Sequence, residues 1–179
     1  MGKSEYGLRT ILPSLVPTRN LTIKVWGAIS KDGVGPLIRY FGNINGKAYR
    51  EILHEGLVNY YGDALTIPSP LLGRPLVLQA DNAKPHGCKL IDDYKDTMNL
   101  SSLLNWPSYS PDLNPIENVW SYIEDSLYYI QDSLKNQDDV WEKVQKIWFS
   151  ISPEQIKDLY ACMPERMEKV IETEGFRIN

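Results

Sequence analysis

The stretch WPSYSPDLNPIENVW, residues 106–120, decides how this chain is read. It opens as a punctuated loop, because Pro107, Pro111 and Pro115 keep any regular element from running through it. It closes as a helix start. Asn114 is placed to cap, Pro115 suits the first helical position, and Glu117 falls three residues after the cap. That is capping-box spacing, so Glu117 has a purely structural use: it can cap its own helix. The alternative is that the first turn holds the Glu117 carboxylate at a site of chemistry. Beyond it, apolar residues recur at Ile116, Val119, Trp120, Ile123, Leu127 and Ile130, which is one face of a helix from Ile116 to about Ile130.

Upstream, residues 79–86 read QADNAKPH. They follow a short apolar run, Leu76 to Ala80, bounded by turn residues, as expected of a buried strand. Asp81 stands where that strand gives way to a loop. In open α/β sheets the carboxyl ends of strands are where sites form. Asp81 and Asn82 also have the chemistry of a simple Asx-turn. If Asp81 and Glu117 converge, their oxygens would suit a divalent cation.

The remaining elements follow from pattern. Leu21 to Ser30 predicts a strand, Lys31-Asp32-Gly33 a hairpin turn, and Val34 to Phe41 the returning strand. Tyr49, Ile52, Leu53, Leu57 and Tyr60 recur at helical spacing over 46–61. Helices are expected over 88–98, 137–150 and 153–173, and a short strand over 100–106. Ser152 reads as an N-cap with Pro153 at the first position, and Gly175 as a stop. Residues 1–20, with Pro13 and Pro17, read as an irregular lead-in, and 68–75 as a proline-rich loop. Strands separated by helices give an α/β layer architecture.

Bulk properties exclude several classes. The 179 residues, 42% hydrophobic and 23% charged, suit one ordered domain. No apolar run approaches the ~20 residues that span a bilayer, and no secretory leader is visible at Met1 to Thr10. Cys88 and Cys162 lie far apart without a partner motif, so they read as free thiols. The net charge of −4 is unlike the basic footprint of a protein that grips phosphates.

The two motifs together resemble those of the Tc1/mariner transposases. Asp81-Asn82-Ala83 with His86, then Trp106-Pro107-Ser108, Ser110-Pro111-Asp112-Leu113-Asn114-Pro115-Ile116-Glu117-Asn118 and Trp120, are similar to the second and third parts of that family's DDE endonuclease site. The 35 residues between Asp81 and Glu117 are one more than the family's usual spacing. Val25-Trp26-Gly27-Ala28-Ile29-Ser30 resembles a central strand, and Met163-Pro164-Glu165-Arg166 the closing helix. The resemblance covers roughly residues 20–176. It implies an RNase H-like fold, a mixed sheet flanked by helices, with 21–176 as a partial catalytic domain. It implies DNA as partner (transposon ends and target DNA), and metal-dependent strand cleavage and transfer in transposition and integration. Mg²⁺ or Mn²⁺ would be the cofactor, with Asp81 and Glu117 as catalytic metal ligands, and His86 and Lys84 as candidate nucleic-acid contacts. His86 can equally be structural, and Lys84 a solvated loop residue. A homodimer and a nuclear location also accord with the family.

One part of the family pattern is missing. Its first catalytic Asp lies on the first strand of the sheet, ahead of the Val-Trp-Gly strand. Here only 24 residues precede Val25, and their sole acid is Glu5. The expectation is therefore a sheet that lacks its first strands, exposed sheet edges, and a chain that does not cut DNA by itself. A retained, non-catalytic module that binds DNA or protein is the alternative.

Overall fold

The computed structural model describes residues 7–11, 14–18, 21–62, 77–80, 88–98, 100–102 and 110–174, with backbone alone for 7–18. Among the described residues, five strands form one sheet: β1 (Gly7–Ile11), β2 (Ser14–Thr18), β3 (Leu21–Ser30), β4 (Gly33–Tyr40) and β5 (Val77–Ala80). β3 pairs antiparallel with β4 along one edge, through the turn at residues 31–32 that the Asp-Gly chemistry predicts. Gly33 has φ +136°, a conformation that L side chains rarely adopt. Along the other edge β3 pairs with β1 and β2 in turn. Thr10 lies opposite Ala28, Ile11 opposite Gly27, Ser14 opposite Lys24 and Leu15 opposite Ile23. β1 and β2 are thus two parts of one hairpin arm. β1 in turn pairs in parallel with β5, with Gly7 opposite Val77 and Thr10 opposite Ala80. On β5, Leu78 makes a parallel bridge to Ser102.

The irregular lead-in is therefore corrected. β1 pairs beside β5 and β2 beside β3, where the sheet was expected to lack its first strands. Of the prolines that suggested irregularity, Pro13 lies outside the described residues, and Pro17 lies within the register shift between Leu15 and Thr18. A residue without an N–H is tolerated at such breaks.

Helices cover both faces. They are α1 (Gly46–Leu53), α2 (Asn59–Tyr61), α3 (Lys89–Thr97), α4 (Ile116–Tyr129), α5 (Gln137–Ser150), α6 (Pro153–Ala161) and α7 (Met163–Glu172). The alternation of β3 divides two cores. Ile23, Val25 and Ile29 pack with Val119, Trp120, Ile123 and Leu127 of α4, Val144 and Trp148 of α5, and Ile156 and Tyr160 of α6. Trp26 and Ala28 point the other way, to Tyr49, Leu53, Leu57, Leu78 and Ile91. Gly27 falls on the α4 side, and there the indole rings of Trp120 and Trp148 stack with centroids 5.0 Å apart. A Cβ on Gly27 would lie 2.8 Å from one ring and 2.9 Å from the other. Trp148 Nε1 donates to the Gly35 carbonyl at 3.0 Å, which ties α5 to β4.

Several boundaries agree with the sequence reading because local signals set them. Asn136 caps α5 in a capping box with Asp139, and Ser152 caps α6 with Gln155. Others differ. The helix expected over 46–61 widens into a π-helical turn at His54–Val58, where Gly56 lies against the Trp26 ring so closely that a Cβ would clash with it. The helix expected over 153–173 breaks at Cys162, because Pro164 has no N–H to continue the ladder. The second part ends at Glu172, and just beyond it Glu174 has φ +53°. Gly175 and the expected loop over 68–75 lie outside the described residues. Of the strand expected over 100–106, the bridge at Ser102 is described.

Two outcomes are expected. Gly27→Ala should destabilise the chain by about 1–3 kcal/mol through overpacking, read as a lowered urea midpoint. Asn136→Ala should cost about 1 kcal/mol through the lost cap. A Gly27→Ala variant as stable as the parent would mean that the two indoles are free to separate.

Candidate active site

β5 delivers the chain to Asp81. Its Leu78 and Gln79 are buried, and its last residue, Ala80, is paired with Thr10 of β1. The strand end is thus anchored in the middle of the sheet, flanked by β1 and by the bridge at Ser102. Asp81, Lys84 and His86 themselves lie outside the described residues. β1 and β2, the arm beside this strand, contain no Asp or Glu from Gly7 to Thr18.

Glu117 is placed by the other motif. Pro111–Leu113 form a 3₁₀ turn, Asn114 is extended, and Pro115 already has helical dihedrals. The Glu117 N–H donates to the Asn114 carbonyl at 3.0 Å, and the Asn118 N–H to the Pro115 carbonyl at 3.2 Å. Leu113, Asn114 and Ile116 are buried, and Glu117, one step on, is half-buried. The helix dipole favours an acid in this first turn. The expected capping box is not made. The backbone has the anticipated shape, but Asn114 Oδ1 is buried with no hydrogen-bond partner, because its side chain turns into the protein rather than over the helix end. Capping is therefore not what fixes Glu117 here.

Two features escaped the sequence reading. Arg166 of α7 reaches this same turn, with Nη1 donating to the Asp112 carbonyl at 3.0 Å and Nη2 3.5 Å from Asn118 Oδ1. Only its place in the Met-Pro-Glu-Arg motif offered a signal. The second feature is a groove of about 400 Å³ lined by Arg50, Glu51, His54, Glu55 and Tyr94. There His54 Nδ1 and the Tyr94 hydroxyl lie 2.8 Å apart, and burial pushes the Tyr94 phenol up against the opposing pull of Arg50. Among the described residues, no three His, Cys, Asp or Glu side chains gather as a metal site. Neither cysteine is in a disulfide, and no described helix is long and apolar enough to cross a membrane.

The mixed sheet in the order β4-β3-β1-β5, with helices on both faces, has the RNase H-like fold. The chain belongs to the DDE superfamily endonuclease family, whose model matches residues 4–141, and its relatives are Tc1/mariner transposases. It is 33% identical over 155 residues to the Tcb1 transposase of Caenorhabditis briggsae, covering 87% of this chain and 53% of the relative. It is 28% identical over 170 residues to the Tc3 transposase of Caenorhabditis elegans, covering 93% of this chain and 49% of the relative. The chain thus spans about half the length of the curated relatives it matches. In fold it is similar to the catalytic domain of Mos1 mariner transposase (TM-score 0.79, 16% identity, 98% of this chain and 85% of that one). It is similar also to that domain solved with Raltegravir and Mn (TM-score 0.81, 17% identity, 98% and 86%), and to the Mos1 paired end complex with Mn (TM-score 0.78, 16% identity, 98% and 57%).

With the box open, Glu117→Gln should lose no capping energy, so metal-free stability should fall by less than about 1 kcal/mol, measured by urea unfolding. A loss above about 1 kcal/mol would show that the carboxylate serves the helix.

Proposed function

We propose that this chain is the part of a Tc1-like transposase that carries the second and third acids of the DDE site, and that it binds DNA without cutting it unaided. The family's chemistry is in-line displacement at phosphorus, in which two metal ions activate the attacking oxygen and stabilise the leaving one. The residues of this chain fit part of that task. Asp81 and Glu117 offer carboxylate oxygens, and Asn114 Oδ1 is a buried oxygen without a hydrogen-bond partner three residues before Glu117. Mg²⁺ commonly takes one or two carboxylates and keeps several waters. The set therefore suits one Mg²⁺ or Mn²⁺, held by Asp81 and Glu117. When bound, that ion would polarise a phosphoryl oxygen. His86 and Lys84 are placed by sequence to meet a phosphate beside it.

One observation carries the loss of cleavage. The strand beside β5, where the family has its first Asp, is occupied by residues 7–11 and brings no acid. A second ion then has no carboxylate to bridge it. Mn²⁺ should accordingly raise the melting temperature of the chain, Glu117→Gln should abolish the rise, and supercoiled plasmid should stay intact. Mn²⁺-dependent nicking that disappears in Glu117→Gln would overturn the inactive reading.

A second reading, a module that contacts protein, is favoured by a specific feature. Between Lys95 and Lys135 the chain has six acids (Asp96, Asp112, Glu117, Glu124, Asp125 and Asp132) and no Lys, Arg or His. On the outer side of α4, Tyr122, Tyr128 and Tyr129 are exposed with Glu124 and Asp125. Such a face repels phosphates and suits a cationic surface. DNA binding that weakens steeply with salt supports the first reading. Absence of DNA binding at low salt supports the second. Work on chromosomal DNA would place either form in the nucleus, and an isolated chain that sediments as a dimer would accord with paired-end assembly.

A further inference from the structure

The turn that carries Glu117 is seated by the buried Leu113 and Ile116. Neither the 3₁₀ turn at Pro111–Leu113 nor the start of α4 has a side-chain cap. Pro111 and Pro115 contribute no N–H. Two backbone hydrogen bonds of 3.0 and 3.2 Å hold the first turn.

Arg166 adds a tie from outside the turn. Its guanidinium spans the segment, meeting the Asp112 carbonyl on one side of Glu117 and Asn118 Oδ1 on the other, at 3.0 and 3.5 Å. Met163, one turn earlier on α7 and buried, fixes the face from which Arg166 reaches. The side chain is half-buried, and a charged donor on a carbonyl makes one of the stronger hydrogen bonds. The two acceptors need a planar fork. A lysine ammonium is a point charge and cannot reproduce that geometry. Arg166 also lies beyond residues 4–141, the part matched by the family model. We propose that Arg166 is the positioning residue for Glu117, fastening its turn from the far end of the chain so that the carboxylate is presented in one place. This rests on the reading of Glu117 as a metal ligand and deepens it.

The test uses the 179-residue chain with Arg166→Ala, Arg166→Lys, Glu117→Gln and, as a charge control on the same helix, Lys169→Ala. Amide hydrogen exchange is read at Asn114, Glu117 and Asn118, with Val144 and Trp148 of α5 as references, and Mn²⁺ affinity is read from the melting-temperature shift. Arg166→Ala is expected to speed exchange of the three amides roughly tenfold or more while the α5 amides are unchanged. It should also weaken Mn²⁺ binding by about 10-fold or more. Arg166→Lys should fold normally yet restore neither, and Lys169→Ala should match the parent. Unchanged exchange in Arg166→Ala, or full recovery by lysine, overturns the proposal. If Arg166→Ala fails to fold, the lysine variant decides by the same criteria. A parent chain whose Mn²⁺ response is insensitive to Glu117→Gln defeats the metal-ligand reading. The exchange measurement then still decides whether Arg166 fastens the turn.

Discussion

The close approach of two indole rings to a backbone without a side chain is the constraint on which the rest of the molecule hangs. Trp120 and Trp148 stack above Gly27, so α4, α5 and β3 meet at one point where no Cβ fits. The glycine lets the helices sit closer to the sheet than any other residue would allow. The Trp148 N–H bond to Gly35 then fixes how far α5 can slide along β4. Because Trp120 lies on the same helix as Glu117, one turn further on, the stack that builds the core also sets the height of the acid above the sheet. The opposite face repeats the device, with Trp26 against Gly56. Val-Trp-Gly on β3 is therefore a packing code for both layers at once.

Around that frame, the site is assembled from parts with unequal support. The strand that leads to Asp81 is held on both sides by parallel pairing and needs no further help. The turn that leads to Glu117 is built from prolines and a short 3₁₀ segment, and it takes its support from Leu113 and Ile116 in the core and from Arg166 across the surface. A structure of this kind separates stability from placement. The apolar contacts make the domain fold, and a charged clamp from the last helix holds one functional turn. The arm at residues 7–18 adds a further separation, since it completes the sheet while bringing no acid to it.

Wherever the information was local, it was legible in the residues themselves. Leu21–Ser30 and Gln137–Ser150 have the bounds that alternation and capping give, and α4 ends one residue short of the reading from periodicity. Each of these depends on side chains within a few positions of one another, where pattern and cap chemistry act directly on the backbone. The candidate acids were found the same way, from proline, asparagine and acid in one short run. Reading Pro17 as a mark of irregularity failed because its missing donor matters only at particular points of the ladder, and those points are set by the partner strand.

The sequence by itself determined the α/β class, the hairpin at residues 31–33, the helix that carries Glu117 and the two acids worth naming. Tertiary structure decided that residues 7–18 complete the sheet, that Asn114 turns inward instead of capping, and that Arg166 reaches the Asp112 carbonyl and Asn118. Each of those outcomes joins residues far apart in the chain or depends on what surrounds a side chain once packed. No local pattern encodes that. Such contacts exist only after the sheet has brought distant segments to one place, and they then choose among conformations that the local sequence leaves equally open.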